Sequence, residues 1–318
     1  MRILVMGAGA IGSVFGGFLA RAGHQVTLVG RPPHMKTINK AGLEITGIWG
    51  DHTVRNLKAL TTFPKENSFD IILLTVKSYQ TAAAMEEIRA LAGRTPVLSL
   101  QNGLGNIETI AETVGADRTL GGRVIFGAET PAPGTVRVTV IADAVAIGPV
   151  RESAFPFDRA EEIARSIDRA GIPCRAVRKI ERFIWGKVLY NAALNAPAAV
   201  LGVNYGKLLE SEAARGLMYD IIREAFAVAD AEGIELDWET PEEYREILFS
   251  RLIPPTASHF PSMLRDIQRG KRTEIDALNG ALAHRGETRG IPTPVNRTLT
   301  RLILYREEAG ASPKHRLG

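Results

Sequence analysis

The 318-residue chain predicts an α/β fold: an N-terminal doubly wound parallel sheet followed by an all-α C-terminal domain. Three observations carry this expectation. Through the first half, apolar runs that end near glycine alternate with helix-compatible stretches. The run DIILLTV at 70–76 lacks polar alternation, as a strand buried on both faces of a parallel sheet does. Beyond about residue 178, strand patterns give way to helical periodicity interrupted by Gly and Pro. The expected boundary lies near Ala176, dividing a 1–176 domain from a 177–318 domain, in keeping with about 100–200 residues per domain.

Taken in order, 2–6 is a strand ending at glycine, 10–22 a helix stopped by Gly23, and 25–29 a second strand. Residues 70–76 and 96–100 are buried strands, each followed by a helix, at 85–91 and 107–114. Between 118 and 148, β-branched segments separated by Pro and Gly read as antiparallel strands that extend the sheet. An amphipathic helix at 157–170 ends at Gly171. The clearest helices of the second half are 178–194, 213–232, 242–252, 261–269 and 274–289, and 310–318 reads as a frayed tail.

Composition narrows the function. Hydrophobic residues are 45% and charged residues 23% of the chain, so a core forms without disulfides or a structural metal. The one cysteine, Cys174, has no partner for an internal disulfide or a Cys-based zinc site, and its apolar context points to a buried structural role in a reducing cytoplasm. The net charge is +4, yet Lys and Arg are dispersed among acids with no aromatic-interleaved basic block, which argues against a nucleic-acid partner. No apolar stretch reaches the length of about 18 residues needed to span a bilayer. The apolar N-terminus is broken by glycines and reads as structure rather than as a targeting signal.

The segment Gly7-Ala8-Gly9-Ala10-Ile11-Gly12 matches G-x-G-x-x-G, between a predicted strand and a predicted helix. This is a Rossmann-type dinucleotide-binding context. Gly7 permits the tight turn, Gly9 lets backbone N–H groups approach a pyrophosphate, and Gly12 allows close helix–strand packing. The second strand ends at Gly30-Arg31, with no acid to bond a ribose 2′-hydroxyl; an arginine there pairs with a 2′-phosphate, so NADP (NADPH) is the expected cofactor. A solvated surface arginine is the alternative.

Two further loops, Thr75-Val-Lys77-Ser-Tyr-Gln80 and Gln101-Asn102-Gly-Leu-Gly105, fall at the carboxyl ends of predicted strands, where ligands bind in such sheets. Lys187, Asn191 and Asn195 are spaced by four and so share one helix face among apolar neighbours, the pattern of a lined cleft. A fourth stretch runs SMLRDIQRGKRTEID from Ser262 through Glu274.

Together these motifs, GAGAIG, VKSYQ, QNGLG, KxxxNxxxN and SMLRDIxxGKxTEID, closely resemble the ketopantoate reductase (2-dehydropantoate 2-reductase) family over nearly the whole chain. The resemblance implies NADPH-dependent reduction of 2-dehydropantoate to (R)-pantoate in pantothenate biosynthesis. It assigns Lys187 as general acid and Glu274 as the glutamate that orients substrate and lysine. It places Asn102 at the junction of cofactor and substrate, Lys77 near the cofactor, and Asn191, Asn195 and Ser262 on the substrate. His259 receives no role. Ordinary structural roles stand beside these: Glu274 as an acid near a helix N-terminus, the asparagines as packing amides, Ser262 as a first-turn residue. Two other functions stay open, a reductase of a different 2-keto acid on the same framework and a non-catalytic NADP-binding sensor. The expected setting is a cytoplasmic monomer or homodimer acting on a small 2-keto acid, without metal, membrane or nucleic acid, with hinge closure on binding.

Overall fold

The computed structural model describes residues 1–64, 68–89, 93–151 and 155–311. It forms two compact units, Met1–Glu181 and Arg182–Gly318.

The first unit opens with β1 (Arg2–Met6), α1 (Ala10–Arg21), β2 (Gln25–Val29), α2 (Pro32–Ala41), β3 (Leu43–Gly47), β4 (His52–Val54) and β5 (Leu57–Leu60). It continues through β6 (Ile71–Leu74), α3 (Thr81–Arg89), β7 (Val97–Ser99), α4 (Asn106–Val114) and β8 (Thr119–Arg123). It ends with β9 (Phe126–Ala132), β10 (Thr135–Ile141), β11 (Val145–Pro149), α5 (Phe157–Arg169) and β12 (Cys174–Ala176).

An eight-stranded sheet runs β12-β11-β8-β7-β6-β1-β2-β5. Strands β5 through β8 in that order are mutually parallel, whereas β11 is antiparallel to β8. Alternation along the strands explains the uninterrupted apolar runs. Ile3, Val5, Ile71 and Leu73 enter one core with Phe15 and Phe18 of α1 and Ile163 of α5. Leu4, Met6, Ile72 and Leu74 enter a second core with Met85 and Ile88 of α3 and Ile110 of α4. Both faces are dry there, so the buried positions of β1 and β6 are apolar throughout.

The expectation that residues 118–148 extend this sheet as antiparallel strands needs correction. Strand β8 is parallel to β7, and β9 and β10 leave the sheet altogether. They form a four-stranded sheet, β4-β3-β10-β9, in which β10 pairs parallel with β3. Apolar Val136 and Val138 alternate with polar neighbours on β10 and bury one face against α1. The corner is filled by rings: Trp49 and Phe126 lie 4.9 Å apart, and Phe18 meets Trp49 edge-on at 5.5 Å.

The second unit is helical: α6 (Ile180–Leu201, which crosses the unit boundary in its first turn), α7 (Tyr205–Glu210), α8 (Glu212–Ala231), α9 (Pro241–Ile247), α10 (Ser262–Gln268), α11 (Asn279–Arg289) and α12 (Pro294–Ala311). Side-chain caps set the starts of α7, α8 and α9: Asn204, Ser211 and Thr240 accept from the N–H groups of Lys207, Ala214 and Glu243. Pro197 lies inside α6 and cannot donate to the carbonyl of Ala193. Beyond it the Arg306 guanidinium of α12 bonds the Ala199 and Val200 carbonyls and closes the end of α6.

Several stretches depart from expectation, among them 242–252, where α9 ends at Ile247. The stretch 274–289 is not one helix: a single tight turn at Ile275–Ala277 is broken at Leu278 (φ −110°, ψ −105°) before α11 begins. The stretch 310–318 is not all tail, because α12 carries Gly310 and Ala311; 312–318 lie outside the described residues, as do 90 and 91 of the expected 85–91 helix. No helix among the described residues is long and apolar enough to cross a membrane.

Candidate active site

In the first unit the glycine turn sits at the carboxyl end of β1. Its backbone is held from both sides: the N–H groups of Gly7 and Ala8 donate to the Val29 carbonyl at 3.0 and 2.8 Å, and Thr75 Oγ1 donates to the Gly7 carbonyl at 2.7 Å. The three glycines do different things. Gly7 has φ +107°, and a Cβ there would lie 2.5 Å from the Val76 nitrogen. A Cβ on Gly12 would lie 2.4 Å from the Gly7 carbonyl oxygen. A Cβ on Gly9 would meet nothing closer than 4.0 Å, so Gly9 faces open space. Gly9 is also the N-cap of α1, with no side-chain cap and no acid in the first turn. The first N–H groups of α1 are thus left to whatever occupies that space. Open room, donors and the positive end of a helix suit a pyrophosphate. Ala8 is buried; Ala10 and Ile11 are half-buried.

Arg31 is exposed, in extended conformation, as the N-cap of α2. That helix escaped sequence reasoning, although Pro32 and Pro33 at its first positions are a start signal. Its buried His34 was missed too. Gly134 N–H donates to His34 Nδ1 at 2.8 Å, which leaves the ring proton on Nε2, 3.0 Å from Ser13 Oγ of α1. Burial holds the His34 pKa below its ordinary value, so the ring is neutral at pH 7. This relay joins α1, α2 and the β9–β10 turn.

Lys77 and Asn102 are half-buried, on the loops after β6 and β7. A small polar network that sequence reasoning did not single out knits the loops together. Gln101 Nε2 donates to the Val76 carbonyl at 2.9 Å and to Thr81 Oγ1 at 2.7 Å. Thr81 Oγ1 passes its own proton to Asn106 Oδ1 at 2.8 Å, and Asn106 Nδ2 donates to the Asn102 carbonyl at 2.9 Å.

In the second unit, α6 carries Lys187, Asn191 and Asn195, the first two half-buried and Asn195 only 7% exposed. Successive members are about 6 Å apart along the axis, so the row presents an ammonium and two amides over roughly two turns. Glu274 is 8% exposed and stands just before the Ile275–Ala277 turn, accepting no N–H of that turn as a cap. Ser262, the first residue of α10, is exposed. His259 is exposed as well; its ring lies 5.3 Å from that of Tyr205, and burial of part of the ring and nearby Arg265 lower its pKa.

A polar chain links α8, α12 and α11 to α6. Glu224 of α8 accepts from the N–H groups of Val295 and Asn296 at the start of α12, at 2.8 and 2.9 Å, and from Asn296 Nδ2 at 2.7 Å. Asn279 Nδ2 donates to Asn296 Oδ1 at 2.9 Å and to the Ala192 carbonyl at 3.2 Å. Ala192 follows Asn191, and Asn279 lies five positions beyond Glu274 in sequence.

Cys174, on β12, is half-buried rather than fully buried, and burial raises its thiol pKa to about 12. It is inert as a nucleophile near neutrality.

A doubly wound sheet with a glycine turn at its first strand, followed by a helical unit bearing a lysine–asparagine row, defines the class of two-unit Rossmann-type oxidoreductases. The particular family follows from comparison. Residues 3–152 match the family described as ketopantoate reductase PanE/ApbA, and residues 179–307 match its C-terminal counterpart. The chain belongs to this family. It is 37% identical to the 2-dehydropantoate 2-reductase of Aquifex aeolicus, over 96% of this chain and 97% of that one. It is 35% identical to the protein of the same name from Pyrococcus horikoshii, over 99% and 100%. Among solved structures, a PanE/ApbA family ketopantoate reductase from Ralstonia eutropha superposes with a TM-score of 0.87 at 33% identity, covering 98% of this chain and 100% of that one. A D-mandelate dehydrogenase solved with NADH and anilino(oxo)acetate also gives 0.87, at 28% identity over 98% and 99%.

Proposed function

We propose that the protein reduces 2-dehydropantoate to (R)-pantoate with NADPH, a step of pantothenate biosynthesis. The observation that carries this reading is the row Lys187–Asn191–Asn195 on α6 in a chain whose full-length relatives are named for that reaction. The open space over Gly9 and the uncapped start of α1 take the pyrophosphate, and Arg31 takes the 2′-phosphate. Lys77 and Asn102, on the loops fastened by Gln101, complete the cofactor side. Bound there, the reduced nicotinamide supplies the hydride for the 2-keto carbon.

The chain's own groups do the rest. Lys187 Nζ stabilises the charge growing on the keto oxygen and delivers a proton to it as the alkoxide forms. The Glu274 carboxylate orients the substrate and the lysine. Asn102, Asn191, Asn195 and Ser262 hold the carboxylate and hydroxyl ends of the substrate, which converts a collision into a positioned transfer. The test is loss of NADPH absorbance on adding 2-dehydropantoate, with (R)-pantoate as product. No turnover, or a preference for NADH, contradicts the reading.

One observation favours a second reading: the likeness to D-mandelate dehydrogenase, a protein solved with NADH. An aromatic 2-keto acid and NADH are the alternative pair. A panel of phenylglyoxylate and 2-dehydropantoate with each dinucleotide separates the two.

A further inference from the structure

The Asn195 side chain is buried, and among the described residues its polar partner is a single group, the Tyr205 hydroxyl at 2.5 Å. Tyr205, at the start of α7, is itself 3% exposed. Its ring is clamped. The Tyr190 ring of α6 meets it edge-on at 6.1 Å, the His259 ring lies 5.3 Å away, and its N–H donates to the His259 carbonyl at 3.1 Å. The Tyr190 hydroxyl is turned to Thr256 Oγ1, at 2.9 Å.

These contacts decide which way the Asn195 amide faces. A buried phenol O–H needs an acceptor, and leaving it without one costs about 1–3 kcal/mol. Asn195 Oδ1 is the acceptor in reach, so the amide turns its oxygen toward Tyr205 and its NH2 group away. An asparagine free to rotate offers a ligand either a donor or an acceptor. Here the oxygen is held on the tyrosine side, and the end turned away from it is the NH2 donor.

We infer that Tyr205 is a positioning residue that locks Asn195 as a hydrogen-bond donor, and that this donor makes the site select a 2-keto acid carrying a hydroxyl oxygen beyond the keto group. The inference rests on the reductase reading above and deepens it. A site built to bond a substrate oxygen rejects the analogue that lacks it, because the buried donor is then left unpaired. Tyr205 itself touches no reacting atom in this account; it acts through Asn195.

The experiment compares 2-dehydropantoate with 3,3-dimethyl-2-oxobutanoate, the same skeleton without the hydroxyl, using NADPH and three proteins: wild type, Tyr205→Phe and Asn195→Leu. Wild type is expected to favour the hydroxylated acid in kcat/KM by about tenfold or more, the worth of one well-made hydrogen bond. Tyr205→Phe releases the amide and should cut that ratio several-fold through a higher KM for the hydroxylated acid, with the other substrate unchanged. Asn195→Leu should remove the ratio and decides the matter if Tyr205→Phe does not fold, as judged by its thermal unfolding. Equal weakening of both substrates, or an unchanged ratio in Tyr205→Phe, overturns the inference, since a purely structural tyrosine would give one or the other. Equal turnover of both acids by wild type overturns this inference alone. Turnover of neither overturns the reductase reading and this inference with it.

Discussion

Lys187 stands or falls on a comparison of chemistry with binding. Lys187→Ala should lower kcat by at least about a hundredfold, the lower range of what general-acid catalysis contributes, while the apparent KM for NADPH changes little. Single-turnover kinetics with saturating NADPH checks this, and retained turnover assigns the proton to another group. His34 makes a different prediction. Its folded pKa lies below 6.5, so the unfolded chain binds the proton first as pH falls. Stability should therefore be flat above about pH 6.5 and decline below it, as the native ring resists charging. Thermal unfolding of wild type and His34→Gln from pH 7.5 down to pH 5 checks the slope, which should be shallower in the variant. The glycine turn and the lysine–asparagine row could be placed on their elements at this scale without coordinates, because motif spacing fixes where they fall. His34, Gln101 and Tyr205 could not. Each owes its bonding to a partner at least 10 residues away, which the local sequence does not reveal even for Gln101 inside its motif.

Among elements, the loops after β6 and β7 are tied to each other through Gln101. Gln101→Ala should cost about 1–3 kcal/mol by stranding buried partners, and should raise the KM for NADPH more than that for the keto acid. A melting curve with parallel kinetics tests both halves; an unchanged cofactor KM would leave Gln101 a packing residue only. Sequence periodicity was most telling where an element is buried on all sides or amphipathic, as with β6, α5 and α8. It failed where long-range pairing decides. Residues 43–47 carry only a weak strand pattern, and β3 exists because β10 lies beside it. It failed as well at 274–289, where an acceptable helical pattern is interrupted by the backbone of Leu278. That interruption keeps Glu274 off α11, in a short turn of its own.

For the molecule as a whole, the proposed function divides cofactor and proton chemistry between the units: the glycine turn falls in Met1–Glu181 and the lysine row in Arg182–Gly318. Ligand stabilisation should follow that division. NADPH at about 100 times its Kd adds about 2.7 kcal/mol, an upward shift in Tm of several degrees. Lys187→Ala should keep the shift, whereas Arg31→Ala should lose much of it while retaining the weaker shift with NADH. Calorimetric scans of the three proteins with each dinucleotide check this, and a shift lost equally in both variants would place the lysine in cofactor binding.

The parallel pairing of β3 with β10 also bears on how the chain is made. The Thr46–Val136 bond joins residues 90 positions apart, so the small sheet cannot close until most of the first unit has left the ribosome. Closing so wide a loop is slow, and the waiting segment keeps unsatisfied strand edges meanwhile. The hairpin packed on α1 is thus a late event of synthesis, completed only once residue 141 has emerged.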